Sequence, residues 1–129
     1  MKFLLDSHLL VWTVSDAKRI PPAGRALISN SANELFFSAA SIWELAIKTG
    51  LGRIGFMKMD VTLLRRTLLE NDYKELPVTA DHGIEVASLP LLHKDPFDRL
   101  LVAQARVEGM TLLTVDRAIA KYPAAIRAL

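Results

Sequence analysis

The sequence predicts an α/β fold in which a mainly parallel sheet is covered by helices on both faces. Short apolar runs of β type alternate along the chain with segments of helical spacing, and parallel strands need crossover connections of this kind. Hydrophobic residues make up 51% of the 129 positions, which suffices for one sizeable core. No repeat, linker or low-complexity segment divides the chain, so we expect a single domain over residues 1–129.

The first half of the chain contains two predicted strands and three predicted helices. These are a strand at 2–6, a helix at 7–14, a helical run through 25–28, a strand at 35–38 and a helix at 41–49. Pro21 and Pro22 separate the first two helices, and residues 30–33 form a polar turn. The Gly-containing segment 50–52 is expected to end the third helix and lead into a loop.

The second half contains four predicted helices and two predicted strands. They are a helix capped by Asp60, a short strand at 76–78, a helix at 80–89, a helix from Pro96 to Gly109, a strand at 111–115 and a helix at 117–122. Asp95 is expected to cap the helix that begins at Pro96, because proline is well tolerated at a first helical position.

The composition excludes several classes of protein. With no cysteine, the chain has neither disulfides nor thiolate metal sites, which leaves oxygen and imidazole ligands and favours hard metals over structural zinc. No stretch approaches the roughly 20 apolar residues of a membrane span, so we expect a soluble, cytoplasmic protein without a membrane partner. The net charge of +2 permits contact with nucleic acid without demonstrating it.

Four acidic residues are expected to converge at the carboxyl edge of the sheet. Asp6 and Asp116 follow the first and last clearly predicted strands, while Glu44 and Asp98 fall in the first turns of predicted helices. Because carboxylates a few ångströms apart resist joint ionisation, such a cluster calls for a cation. Mg²⁺ or Mn²⁺ binds oxygen ligands and promotes hydrolytic attack of water on phosphodiesters.

Each acid also has a structural interpretation. Glu44 completes a capping box with Ser41, and the charge of Asp98 suits the dipole at the start of its helix. Asp6 and Asp116 can cap the segments that follow them, and two such caps are about as expected as one shared site. The four acids taken together favour a site.

Basic and aromatic residues near these acids remain open to two interpretations. Lys48 lies one turn after Glu44, where an ion pair is the default and acid orientation or phosphate contact the alternative. Arg99, beside Asp98, either contacts phosphate or extends into solvent. Surface, packing, core or subunit contacts are favoured over functional roles for His8, His82, His93, Trp12 and Trp43.

Four segments resemble the ordered motifs of PIN-domain proteins and, more narrowly, of VapC-type toxins. They are FLLDSH at 3–8, SAASIWELAIK at 38–48, HKDPFDRLLVAQA at 93–105 and LTVD at 113–116. The resemblance implies a magnesium-dependent endoribonuclease acting on RNA, frequent homodimerisation and inhibition by a small cognate antitoxin. It assigns the site acids to Asp6, Glu44, Asp98 and Asp116. Ser7 departs from the motif, where threonine is common.

Two other functions compete with a ribonuclease. Another Mg²⁺ phosphoryl-transfer domain would need a second acid beside Asp6, where Ser7 and His8 stand instead. A noncatalytic RNA-binding or regulatory protein would not need all four acids.

The early helices carry more apolar residues than one core layer needs. We therefore expect some of them to form an exposed groove that a partner protein buries. These residues are Leu9, Leu10, Val11, Trp12, Leu27 and Ile28.

Overall fold

The computed structural model describes residues 1–50 and 60–129, in which strands and helices alternate as predicted. The strands are β1 (Lys2–Leu5), β2 (Glu34–Ser38), β3 (Lys74–Leu76), β4 (Thr111–Thr114) and β5 (Ile126–Ala128). The α-helices are α1 (Ser7–Ser15), α2 (Pro22–Ser29), α3 (Ala39–Gly50), α4 (Val61–Glu70), α5 (Ala80–Val86) and α6 (Pro96–Glu108). Single 3₁₀ turns cover Ala17–Arg19 and Ile119–Lys121.

The five strands form one sheet in the order β3-β2-β1-β4-β5, and every described pairing is parallel. The central strand β1 pairs Leu5 with Leu113 of β4, and the N–H of Asp6 extends this ladder to the Leu113 carbonyl at 3.0 Å. Because neighbouring parallel strands end at the same edge, β1, β2 and β4 all lead into that edge together. This confirms the predicted α/β class.

Both faces of the sheet are buried under helices. Phe3 and Leu5 belong to one core cluster, which α1, α3 and α4 complete, whereas Leu4 belongs to a second cluster completed mainly by α6. Successive side chains of a strand point to opposite faces, so the three consecutive apolar residues of β1 serve both layers.

Three aspartates begin helices as N-caps. Asp6 accepts the N–H of Leu9, Asp60 accepts the N–H groups of Thr62 and Leu63, and Asp95 accepts those of Phe97 and Asp98. Such side-chain oxygens satisfy amides that have no partner within the helix. The predicted caps at Asp60 and Asp95 are therefore confirmed, as is the end of α6 at Gly109, which has a φ of +67°.

Several predicted boundaries were wrong. Helix α3 begins at Ala39 instead of 41, because the Ser38 hydroxyl accepts the N–H of Ala40 at 3.0 Å and turns the chain directly from strand to helix. Strand β3 ends at Leu76, before Pro77, which has no N–H for a ladder. Helix α5 stops at Val86 instead of 89. Residues 51–52 of the predicted helix end lie outside the described residues.

The end of the chain also differs from the prediction. The helix expected at 117–122 is reduced to the 3₁₀ turn Ile119–Lys121, which leads through Pro123 towards β5. Strand β5 was not predicted, since it has three residues and only the first of them, Ile126, is strongly apolar. Strand identity here comes from pairing with β4, as at Leu112 with Ile126.

Only part of the predicted apolar groove on the early helices is present. Leu9, Leu10 and Val11 are buried in the core, and Trp12, Leu27 and Ile28 pack against it, but Ile28 also lines a cavity between α1 and α2. Exposed large apolar side chains occur elsewhere, for example at Trp43 and Ile47 of α3. Among residues 1–50 and 60–129, none of the helices combines the length and apolar character needed to cross a membrane.

Candidate metal centre

Asp6 lies buried at the junction of β1, α1 and β4. Its Oδ1 accepts the N–H of Leu9 at 2.9 Å, while its Oδ2 accepts the Thr114 hydroxyl at 2.6 Å and the Val115 N–H at 3.1 Å. Burial raises the pKa of Asp6, and these hydrogen bonds oppose the rise because they stabilise the charged form. The carboxylate is thus held in one orientation by two different elements.

Glu44 lies in the second turn of α3, one turn later than predicted. Its Oε1 accepts the Ser7 hydroxyl at 2.6 Å, and its Oε2 contacts the Lys48 ammonium at 2.5 Å. The predicted ion pair between Glu44 and Lys48 is confirmed. Because Ser7 follows Asp6 directly, this hydrogen bond ties Glu44 to the start of α1 beside Asp6, and it is made by serine at the motif position where threonine is common.

The predicted capping box of Ser41 and Glu44 is absent from the described structure. Helix α3 has already begun at Ala39, so Ser41 lies inside it, and the Ser41 hydroxyl is buried without a hydrogen-bond partner among the described residues. Glu44 is therefore not employed as a cap. This removes the structural interpretation that competed most directly with a functional one.

Asp98 and Asp116 come together with His93. Nε2 of His93 lies 2.9 Å from Oδ2 of Asp98, and one potential ligand atom from each of the three residues lies within 4.8 Å of the others. The N–H of Asp116 donates to Thr114 Oγ1 at 3.0 Å, and its Oδ1 accepts the N–H of Ala118 at 2.9 Å. Thr114 thereby joins Asp116 to Asp6.

The pKa of Asp98 is raised to about 6. Burial is the main cause, the hydrogen bond with His93 opposes the rise, and the negative charges of Asp95 and Glu44 add to it. The effect of Glu44 shows that its charge acts on Asp98 although the two residues belong to different helices. A cation placed among these groups would relieve their mutual repulsion.

These donors fit a hard divalent cation. Carboxylate oxygens of Asp98 and Asp116 lie within 4.8 Å of each other, Asp6 and Glu44 are buried carboxylates, and no thiolate is available in the sequence. Mg²⁺ and Mn²⁺ bind carboxylates while keeping several waters, so a site with few protein donors suits them. Of the four predicted acids, the structure brings Asp98 and Asp116 to within 4.8 Å of each other, joins Asp6 to Asp116 through Thr114, and bonds Glu44 to Ser7.

Comparison with known proteins places this geometry in a family. The PIN domain model matches residues 3–125. Ribonuclease VapC22 of Mycobacterium tuberculosis is 30% identical over 120 residues, which cover 92% of this chain and 90% of that protein. The chain belongs to the PIN-domain family, within its VapC group.

Solved structures of low sequence identity share the PIN fold. VapBC2 from Rickettsia felis, bound to a DNA fragment from the promoter, superposes with a TM-score of 0.71 at 14% identity, covering 100% of this chain and 99% of that one. DNA-bound VapBC from Salmonella typhimurium gives a TM-score of 0.69 at 16% identity, covering 99% and 98%. At these identities the similarity establishes the fold.

Arg99 has a structural role in this PIN domain that neither predicted alternative described. Its guanidinium donates to the carbonyls of Pro90 at 2.9 Å and Val86 at 3.3 Å, and to the Tyr122 hydroxyl at 3.1 Å. Arg99 therefore ties α6 to the end of α5 and to the segment before β5. Its guanidinium is directed neither into solvent nor at the cluster of acids.

The other histidines and tryptophans fall into distinct environments. His82 is fully buried and bonded at both ring nitrogens, as the structural interpretation expected. Trp12 packs against the core beneath Arg19, whose guanidinium lies 4.7 Å from the ring centroid. Trp43 is 62% exposed, so a core role for it is wrong; it meets Phe97 edge to face at 5.2 Å.

His93 is the residue of the acidic cluster that the sequence did not predict. The three histidines show no compact ligand spacing among themselves. The informative spacing joins His93 to Asp98, five residues later, across the cap and proline that begin α6. A histidine paired with an acid across a helix start was the available signal.

Proposed function

We propose that this PIN-domain protein is a metal-dependent endoribonuclease whose site consists of Asp6, Glu44, Asp98 and Asp116. The observation that carries the proposal is the approach of Asp98 and Asp116 to within 4.8 Å, together with two buried, hydrogen-bonded acids, Asp6 after β1 and Glu44 on α3. The similarity to Ribonuclease VapC22 supports RNA as the substrate. Mg²⁺ is the expected cofactor, with Mn²⁺ as an alternative.

The residues of the site have separable roles in this proposal. Asp98 and Asp116 hold the cation directly, and Asp6 orients Asp116 through the shared hydroxyl of Thr114. Glu44 of α3, which is held by Ser7 and Lys48, adds negative charge to the site. When bound, the divalent ion supplies the Lewis acidity that phosphodiester hydrolysis requires.

We further propose that the protein is the toxin of a type II toxin–antitoxin pair, acting as one cytoplasmic domain and inhibited by a small antitoxin. Similarity to the toxin components of VapBC complexes supports an antitoxin partner. A homodimer is the expected assembly of the free toxin. The alternatives are a noncatalytic PIN-like regulator and another Mg²⁺ phosphoryl-transfer domain.

The enzymatic proposal is tested by cleavage of a mixed RNA substrate with Mg²⁺, with Mn²⁺ and with EDTA. We expect cleavage with either ion and none with the chelator. Asp98→Asn should be inactive, whereas Asp95→Asn removes one charge from the same motif, keeps the cap and should remain active. Activity retained in EDTA would contradict the proposal, and cleavage of phosphomonoesters without cleavage of RNA would favour the phosphoryl-transfer alternative.

The toxin proposal is tested by expression of wild type and Asp98→Asn in the same host, with and without the protein encoded immediately upstream. Wild type should arrest growth, the variant should not, and co-expression should restore growth. Sequencing of RNA ends after brief induction would identify the cleaved RNA. A harmless wild type that cleaves RNA when purified would disprove the toxin role and leave the nuclease intact.

A further inference from the structure

The cluster at the start of α6 contains an imidazole as well as carboxylates. Nε2 of His93 lies 2.9 Å from Asp98, and a ring nitrogen of His93 is within 4.8 Å of an Asp116 oxygen as well as of Asp98. Donors that share an ion at about 2.1 Å lie at most about 4.2 Å apart. The three potential ligand atoms, none more than 4.8 Å from the others, therefore lie near the spacing of a shared ligand set.

The backbone of His93 is held in place by Tyr122, which is itself bonded to Arg99 of α6. The Tyr122 hydroxyl donates to the His93 carbonyl at 3.3 Å and accepts from Arg99 at 3.1 Å. Arg99 also donates to the carbonyl of Pro90 at 2.9 Å, so both ends of the segment 90–93 are tied to α6. A ligand carried on a loop needs such support to keep its geometry.

The side chain of His93 is 28% exposed, and its ring faces acids from two elements, Asp98 on α6 and Asp116 after β4. A histidine that served only to orient Asp98 would need to contact the Asp98 carboxylate and no other acid. Placement within reach of both carboxylates is the arrangement of a third donor.

We propose that His93 is a nitrogen ligand of the cation held by Asp98 and Asp116, which makes the centre selective for Mn²⁺ over Mg²⁺. This inference rests on the proposed metal site of the ribonuclease. Mg²⁺ strongly prefers oxygen donors, whereas first-row transition metals accept imidazole readily. An imidazole in the ligand set therefore strengthens Mn²⁺ binding without equivalent gain for Mg²⁺.

The test measures metal binding by the purified full chain, independently of RNA cleavage. Mn²⁺ binding is followed by the electron paramagnetic resonance signal of free Mn²⁺, and Mg²⁺ binding by competition against Mn²⁺. Wild type should bind Mn²⁺ at least about tenfold more tightly than Mg²⁺, and His93→Asn should lose about tenfold in Mn²⁺ affinity with little change for Mg²⁺. His8→Asn is the matched control, since the same substitution then falls on α1 outside the cluster.

Pulsed resonance spectra separate a ligand from a positioning residue. Bound Mn²⁺ should show coupling to a ¹⁴N nucleus in wild type and in His8→Asn, and this coupling should disappear in His93→Asn. If His93→Asn does not fold, wild-type protein labelled with ¹⁵N-histidine should replace the ¹⁴N coupling with one from ¹⁵N. Mn²⁺ bound without nitrogen coupling, or coupling retained in His93→Asn, would overturn the proposal.

The outcomes also separate this inference from the proposed function. Nitrogen-coupled Mn²⁺ binding by a protein that cleaves no RNA would support His93 as a ligand and refute the ribonuclease. Metal-dependent RNA cleavage without nitrogen coupling would support the ribonuclease and refute His93 as a ligand. A chain that binds neither ion would overturn both.

Discussion

His82 and His93 each place Nε2 within 3 Å of a carboxylate oxygen, yet the two pairs occupy opposite kinds of surroundings. His82 is fully buried between α5 and α6, with Nε2 at 2.8 Å from Glu108 and Nδ1 accepting the Thr79 N–H at 3.0 Å. His93 is 28% exposed, and beyond Asp98 its ring faces Asp116.

The two histidines differ in the second group that lies near the imidazole ring, beyond the carboxylate bonded to Nε2. Because Nδ1 of His82 accepts a backbone N–H, Nε2 is the nitrogen that donates to Glu108; Nδ1 therefore caps the start of α5, and Nε2 ties α5 to α6. At His93 the second partner is another acid, which adds negative charge instead of completing the hydrogen bonding. The arrangement around His82 stabilises the fold, whereas the arrangement around His93 favours the binding of a cation.

The largest expected effect contrasts the two carboxylate partners. Asp98→Asn should lower RNA cleavage at least about 100-fold without loss of stability, because it removes ligand charge without changing volume and removes a carboxylate whose ionisation burial disfavours. Glu108→Gln keeps an acceptor for His82 and should leave cleavage within about twofold of wild type. Single-turnover cleavage rates of both variants measure the contrast, and equal losses in the two would refute it.

The second prediction concerns stability at the two histidines. His82→Ala should lower the free energy of unfolding by about 2–4 kcal/mol, since it leaves a cavity and removes the partners of Thr79 and Glu108. His93→Ala should cost about 0.5 kcal/mol, as expected at a partly exposed position. Urea denaturation of both variants gives the values. A larger loss at His93 would mean that its main role is structural.

The sequence predicted that Asp6 and Asp116 follow strands at one edge of the sheet, but it did not predict that His93 lies beside Asp98, and the reason is topological. Asp6 and Asp116 follow strands, and the carboxyl ends of neighbouring parallel strands must meet, so pattern alone places them. His93 lies on a loop whose course depends on Arg99 and Tyr122, which contact it from distant positions. Local periodicity carries no information about such contacts.

The same distinction explains the errors in the fold. Helices α4 and α6 were predicted with their caps because Asp60 and Asp95 act on their immediate neighbours. Strand β5 exists through pairing with β4, and the start of α3 depends on a hydroxyl of the preceding strand, Ser38. Elements defined by local chemistry were predictable, whereas those defined by a distant partner were not.

The third prediction tests whether Asp6 stabilises the fold as well as serving the metal site. If Asp6 served only the metal site, Asp6→Asn would leave the stability of the protein unchanged. Oδ2 accepts both a hydroxyl and an N–H, from Thr114 and Val115, and an amide cannot satisfy these donors together with the N–H of Leu9. We therefore expect Asp6→Asn to lower the unfolding free energy by about 1–3 kcal/mol, besides abolishing cleavage. Denaturant titration of Asp6→Asn beside Asp98→Asn checks this, and equal stability of the two would contradict it.

The fourth prediction uses the pKa of Asp98, which is raised to about 6 from an ordinary value of 3.8. Without metal, the folded state binds a proton more readily than the unfolded state between these values, so stability should rise as the pH falls from 7 through 6. The gain should be smaller in Asp98→Asn. Over the same range protons should displace the cation, and its affinity should fall. Melting curves and Mn²⁺ titrations at pH 5 to 8 would show both trends; an opposite slope would contradict them.

The smallest effect is expected at Asp95, whose carboxylate caps α6 while Asp98 faces the cluster. Oδ1 of Asp95 accepts the N–H of Phe97 at 2.9 Å and that of Asp98 at 3.3 Å, so Asp95→Ala should cost about 1 kcal/mol. Its loss should leave Mn²⁺ affinity within about twofold, because the Asp95 carboxylate lies outside the three-residue ligand cluster found among the described residues. Asp98→Ala should reverse the pattern, with a large loss of affinity. Since both aspartates lie in one turn of one helix, thermal melts and metal titrations of the pair separate a helix cap from a ligand, and a reversed pattern would mean that the two roles were exchanged.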